Sequence, residues 1–107
     1  MIPKKNRVNR KEIDEIFRRG RSLYSPSLTL RFVWNKEKLP PKISFITPKT
    51  LFPKAVKRNL LRRRGYAALH PNLSRFPVGI SGVFIFQRQP KSVSALEEEI
   101  EIILGKL

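Results

Sequence analysis

Between residues 52 and 64 the chain sets Lys54, Lys57, Arg58, Arg62, Arg63 and Arg64 around Asn59 and the aliphatic residues Ala55, Val56, Leu60 and Leu61. Side chains of this kind, at this density, do electrostatic work. An arginine carries a planar fork of donors that matches the oxygens of a phosphate, and a lysine adds a point charge. A charged helix face that serves only solvation mixes signs. Here no acid occurs from residue 49 to residue 81, so the stretch reads as a phosphate-binding surface. Asn59 has three open uses: a sugar, a base edge, or a carbonyl of its own fold.

Nothing else in the chain assembles into bond-breaking machinery. Cysteine is absent and His70 is the single histidine, set before Pro71 where a surface or helix-end role is expected. Asp14 is the only Asp, so neither a Ser-His-Asp nor a Cys-His arrangement can be built. Glu97, Glu98, Glu99 and Glu101 stand close together, but successive helical positions splay apart and the group reads as a solvated face. No glycine-rich phosphate loop is present. Any chemistry is expected to come from a partner.

The whole chain supports a polyanionic partner. Its 107 residues hold 23 Lys and Arg against 8 Asp and Glu, a formal charge of +15. Self-repulsion on that scale opposes folding until a counter-charge is supplied, and nucleic acid supplies it. Half of the acids sit in the final helix, which is expected to face away from the polyanion. With 40% hydrophobic residues, one modest core and a single domain over residues 1–107 are expected. No apolar run reaches signal or membrane length, and no amphipathic stripe is spare for lipid. The expectation is a cytoplasmic protein with no membrane partner.

The elements that must position these residues follow from periodicity. Residues 1–8 form a basic arm. Asn9 opens a helix as the first member of a capping box with Glu12, Ile13, Ile16 and Phe17 follow its buried spacing, and Gly20 stops it. A short strand is expected over residues 21–24. Leu28, Leu30, Phe32 and Trp34 alternate with Thr29, Arg31 and Val33 as a second strand, and Ile43, Phe45 and Ile46 mark a third. A loop over residues 49–52 leads to a helix whose first turn holds Pro53. Val56, Leu60 and Ala67 form its buried side, with Lys54, Arg58 and Arg62 opposite. Gly65 lies within it at a cost of about 1 kcal/mol relative to alanine. Residues 70–81 read as loop, residues 83–87 as a fourth strand, and Ser94 with Glu97 as the cap of a last helix that buries Leu96, Ile100, Ile103 and Leu104. The order αβββαβα gives an α+β fold, a four-stranded sheet with helices packed on it.

The block Phe52-x-x-Ala55-x-x-Arg58-Asn59-Leu60-Leu61-Arg62-Arg63 resembles the signature of the bacterial ribonuclease P protein subunit. The segments Asn6-Arg7-Val8, Phe17-Arg18-Arg19-Gly20-Arg21-Ser22 and Lys42 through Lys49 resemble that family's amino-terminal half in order. Departures fall at Leu60, Gly65 and Tyr66, at Phe45 and Thr47-Pro48-Lys49, and in a longer loop before the helix. The resemblance implies a left-handed βαβ crossover and a large catalytic RNA as partner, one protein per RNA. It implies that the RNA holds the Mg²⁺ ions that remove the 5′ leader of precursor tRNA. Lys54, Lys57, Arg58, Asn59, Arg62, Arg63 and Arg64 would then bind the RNA. Phe17, Arg31 and Lys49 would meet the leader, in a cleft between the first helix and the sheet. Ile13 stands where the family often has a second aromatic, and Arg31 where a strand tyrosine is common. By periodicity alone Phe17 is a core residue, and Arg31 is an exposed strand residue or a guanidinium plane for a base. A ribosomal or assembly RNA-binding protein is the alternative reading of the same charge and size.

Overall fold

The computed structural model describes residues 6–35 and 37–107. The first five residues of the expected basic arm therefore lie outside the described residues. The arm's end does not float. Asn6 Nδ2 donates to the Pro41 carbonyl at 3.1 Å and the Val8 amide donates to Ser44 Oγ at 2.8 Å. Both contacts fix the entry of the chain beside the third strand.

The order αβββαβα holds: α1 (Arg10–Arg19), β1 (Arg21–Tyr24), β2 (Leu28–Trp34), β3 (Lys42–Ile46), α2 (Ala55–Leu69), β4 (Ile80–Phe86) and α3 (Val93–Lys106), with a 3₁₀ helix (His70–Arg75) after α2. The four strands form one mixed sheet in the order β1-β2-β4-β3. Pairs β1/β2 and β2/β4 are antiparallel, while β3/β4 is parallel and is joined through α2. The protein is a single α+β domain.

Strand alternation divides the core between the two faces of the sheet. Leu28, Leu30, Phe32, Ile43, Phe45, Ile80, Phe84 and Phe86 meet α2 and α3 through Leu61, Leu69, Leu96, Ile100 and Ile103. The other face carries a smaller cluster of Val8, Ile16 and Val83, edged by Ile13, Val33, Ile46 and Ile85. So α1 lies alone on one face, and α2 with α3 cover the other.

The local chemistry explains where the helices begin. Asn9 and Glu12 form the expected capping box, with the Glu12 amide donating to Asn9 Oδ1 at 2.9 Å and the Asn9 amide to Glu12 Oε1 at 3.3 Å. Gly20 ends α1 by close approach and not by a left-handed backbone: its φ is −74°, and a Cβ there would stand 2.2 Å from the Ile16 carbonyl oxygen. The last helix begins two residues earlier than expected. Ser92, not Ser94, is its cap, accepting from the Ala95 amide at 3.1 Å.

Three further expectations are corrected. First, α2 starts at Ala55 with Lys54 as an N-cap that makes no side-chain bond, so Pro53 precedes the helix and does not form its first turn. Its buried residues are Leu61, Gly65, Tyr66, Ala68 and Leu69, while Val56 is 81% exposed, Ala67 is exposed and Leu60 is half-buried. The periodicity misled because Arg58 and Arg62 share the flank of Leu61 and Gly65, their aliphatic stems lying along the protein while the charged heads reach polar partners. Second, residues 70–75 are a 3₁₀ helix and β4 begins at Ile80, not Val83. Ser81 and Gly82 have loop chemistry, but Ser81 Oγ accepts from Asn35 Nδ2 at 2.7 Å and Gly82 pairs opposite Phe32 and Ile43. Third, Glu99 does not belong to a solvated acidic face. It is 7% exposed and accepts from Ser25 Oγ and the Ser27 amide, both at 2.6 Å.

Candidate nucleic-acid interface

The basic residues of α2 are gathered by the helix and by the loop before it. Lys49 is exposed in a turn closed by the amides of Leu51 and Phe52, which donate to the Pro48 carbonyl at 3.1 and 2.9 Å. Arg58 is half-buried, and its Nη1 donates to the carbonyls of Phe52 at 2.9 Å and Pro53 at 2.8 Å. Arg62 donates to Thr47 Oγ1 at 3.4 Å and to Asn59 Oδ1. The bond Asn59 makes within the fold is not to a carbonyl: its Oδ1 accepts from Arg62 and orients that guanidinium. Arginine forks held by neutral acceptors keep full charge and lose rotamer freedom before any ligand arrives.

Around this fixed pair stand freer cations. Lys54 is exposed and Lys57 half-buried, and both line a recess with Leu51, Phe52, Pro53 and Gln89. Arg63 is exposed and Arg64 half-buried, beside a groove of about 410 Å³ between α2 and α3 lined also by Leu60, Tyr66, Ala67 and Val93. The site residues thus wrap α2 and do not form one strip. Ion pairs among the described residues join Arg19 with Glu15, Lys42 with Glu12 and Arg75 with Glu101. None involves a cation of α2, so the helix keeps its charge uncompensated and its field extends outward.

The second grouping lies where α1 crosses the sheet. Phe17 is 43% exposed, which removes the core role that periodicity gave it. Ile16 takes the central contact over Val83, and Phe17, one residue further round the helix, faces partly outward. Arg31 is half-buried beside it: Nη2 donates to the Phe17 carbonyl at 2.8 Å and Nη1 to Ser22 Oγ at 3.0 Å. A partly exposed aromatic residue and a fixed guanidinium are therefore joined through the Phe17 carbonyl. Lys49 stands on the separate turn after β3, and no bond ties it to this pair. Tyr24 and Trp34 are also exposed aromatics, at 63% and 51%. Sequence reasoning missed both because each sits in a strand whose alternation implies cover. The readable signal was the shortness of β1, which cannot shield the end of β2.

Among the described residues no group of three or more His, Cys, Asp or Glu side chains is gathered. Glu12, Glu15, Glu99 and Glu101 are engaged within the fold. No helix among the described residues is long and apolar enough to cross a membrane.

A cationic α+β domain with this strand order has the fold of bacterial RNase P proteins. The RNase P protein from Thermotoga maritima superposes with a TM-score of 0.80 at 21% identity, over 94% of this chain and 96% of that one. A Staphylococcus aureus RNase P protein gives 0.78 at 20% identity, over 96% and 95%. No curated protein sequence matches. The sequence model of the family described as Ribonuclease P matches residues 2–107, and the chain belongs to that family. Its role is that of a ribonuclease P protein, a part of the ribonucleoprotein that processes tRNA.

Proposed function

We propose that this chain binds the catalytic RNA of ribonuclease P through α2 and holds the 5′ leader of precursor tRNA, while the RNA performs the hydrolysis. Lys54, Lys57, Arg58, Asn59, Arg62, Arg63 and Arg64 meet RNA phosphates and sugars. Phe17 and Arg31 take unpaired leader nucleotides by stacking and charge, and Lys49 adds a cation from the neighbouring turn. The RNA holds the Mg²⁺ ions, one protein serves one RNA, and the complex works in the cytoplasm. The observation that carries this reading is the uncompensated cationic helix, whose Arg58 and Arg62 are fixed by neutral acceptors of the fold.

In mechanism the protein neutralises phosphates that otherwise repel one another and lowers the metal concentration the RNA needs. Its leader contacts discriminate precursor from mature tRNA, because only the precursor has the segment they grip. The test is reconstitution: leader cleavage by the transcribed RNA alone and with protein, at low Mg²⁺. Faster cleavage of precursor with protein is expected. No gain, with preferential binding to ribosomal RNA, would favour the assembly-protein reading.

A further inference from the structure

Trp34 ends β2 at a position where the alternation of Leu28, Leu30 and Phe32 calls for another covered side chain, yet it is 51% exposed. The reason is the register of the edge strand. β1 pairs with β2 only from Arg21 opposite Phe32 to Tyr24 opposite Thr29, so Val33 and Trp34 run past its start. Phe32 holds the indole in an edge-to-face contact, with centroids 5.8 Å apart and planes at 85°. That contact fixes the ring and leaves area for stacking.

Cations frame the same place. Arg19, Arg21, Phe32, Val33 and Trp34 line a surface recess of about 320 Å³. Arg21 is exposed and its side chain has no hydrogen bond or ion pair with any described residue. Arg19 is oriented by an i,i+4 pair with Glu15 on the last turn of α1. A rigid indole beside guanidinium groups suits a base with its phosphate, because every base offers a π face and every nucleotide an anion. An acidic peptide would satisfy the charge and leave the indole without a planar partner. Arg31 and Trp34 alternate to opposite faces of β2, so the indole does not share the face of the Phe17–Arg31 pair, and the recess reaches that face only at its rim through Val33 and Arg19.

We propose that Trp34, with Arg21 and Arg19, forms a second contact for single-stranded RNA, taking one unpaired nucleotide with its base on the indole and its phosphate on the guanidiniums. The proposal rests on the RNA-binding reading above. Trp34 is the only tryptophan of the chain, so its emission reports on the site directly. The full chain is titrated with a short oligoadenylate at low salt, and binding is followed both by Trp34 fluorescence and by anisotropy of a labelled strand. Quenching that tracks the anisotropy and is reversed by salt is expected. Trp34→Leu should weaken oligonucleotide binding at least about fivefold, with Trp34→Phe recovering part of the loss. Arg21→Gln should make the salt dependence shallower. Circular dichroism confirms that each variant is folded. If Trp34→Leu does not fold, the wild-type quenching and Arg21→Gln decide.

Oligonucleotide binding with unchanged emission and an unaffected Trp34→Leu variant overturns the proposal and leaves the α2 interface standing. So does an oligonucleotide that fails to bind while ribonuclease P RNA binds normally. Failure of both RNAs to bind overturns the broader reading as well.

Discussion

Gly65→Ala separates packing from propensity on the helix that carries the site. By propensity alone the substitution stabilises α2 by about 1 kcal/mol. The structure reverses the sign. A Cβ at residue 65 would stand 2.7 Å from Cδ1, 2.8 Å from Cε1 and 3.0 Å from Cγ of Phe45, where carbon atoms prefer about 3.5–4.0 Å. Phe45 has little room to yield. Its ring packs against Tyr66 at 5.1 Å, Phe84 at 5.2 Å and Phe86 at 5.6 Å. α2 must therefore move off the sheet, at an overpacking cost of about 1–3 kcal/mol. Set against the propensity gain, a net loss of up to about 2 kcal/mol is expected. Urea unfolding followed by circular dichroism measures it, with Gly105→Ala as the control. Nothing lies within 4 Å of a Cβ at residue 105, so that variant should be neutral or gain some tenths of a kcal/mol. Phe45→Leu combined with Gly65→Ala should show coupling, because removing the ring relieves the contact. A Gly65→Ala protein as stable as wild type, or more stable, would refute the reasoning.

Four other outcomes are expected. Glu99→Ala should cost about 2–4 kcal/mol in urea unfolding, because it strands the buried Ser27 amide and frees Ser25 Oγ; Glu99→Gln, which keeps one acceptor, should cost less. Arg58→Ala with Arg62→Ala should weaken RNA binding and reduce the salt slope by about 0.9 per lost phosphate contact. Lys54→Gln with Arg63→Gln should reduce the slope similarly without touching stability, since neither side chain bonds within the fold among the described residues. Phe17→Ala should leave the unfolding midpoint nearly unchanged and lower the preference for precursor over mature tRNA about fivefold or more, measured by competition binding.

The parts of this fold that were legible before the structure are those where local chemistry and long-range packing agree. The Asn9–Glu12 box, the Leu28–Leu30–Phe32 alternation and the Leu96–Ile100–Ile103 stripe each point one way, and the structure follows them. Where a side chain has two natures, the sequence was ambiguous. Arg58 and Arg62 are polar by name, yet their stems border the buried strip of α2 while their heads cap carbonyls and a hydroxyl. Glu99 lies at helical spacing within the buried stripe, three positions after Leu96, but only the turn carrying Ser25 and Ser27 makes its burial tolerable. That turn is distant in sequence, so no local pattern could reveal it. Phe17 and Trp34 followed the right period at the end of an element, where the covering partner ran out.

The candidate site shows the same division. The identity of the α2 cations was plain from composition, and their lack of acidic partners was plain from the acid-free run. Their distribution around the helix was not, because it depends on which flank the sheet claims, and Phe45 settles that by filling the space over Gly65. The Phe17–Arg31 pairing likewise needed the sheet, since a carbonyl of α1 and a guanidinium of β2 meet only after α1 folds back across the strands.

The most direct test of the central claim is the affinity of the purified chain for transcribed ribonuclease P RNA and for a ribosomal RNA fragment of equal length, measured across a range of salt. The account expects ribonuclease P RNA to be preferred at physiological salt, with a steep salt slope that falls when α2 loses cations. Equal affinity for the two RNAs, or a slope unchanged by those substitutions, would contradict it.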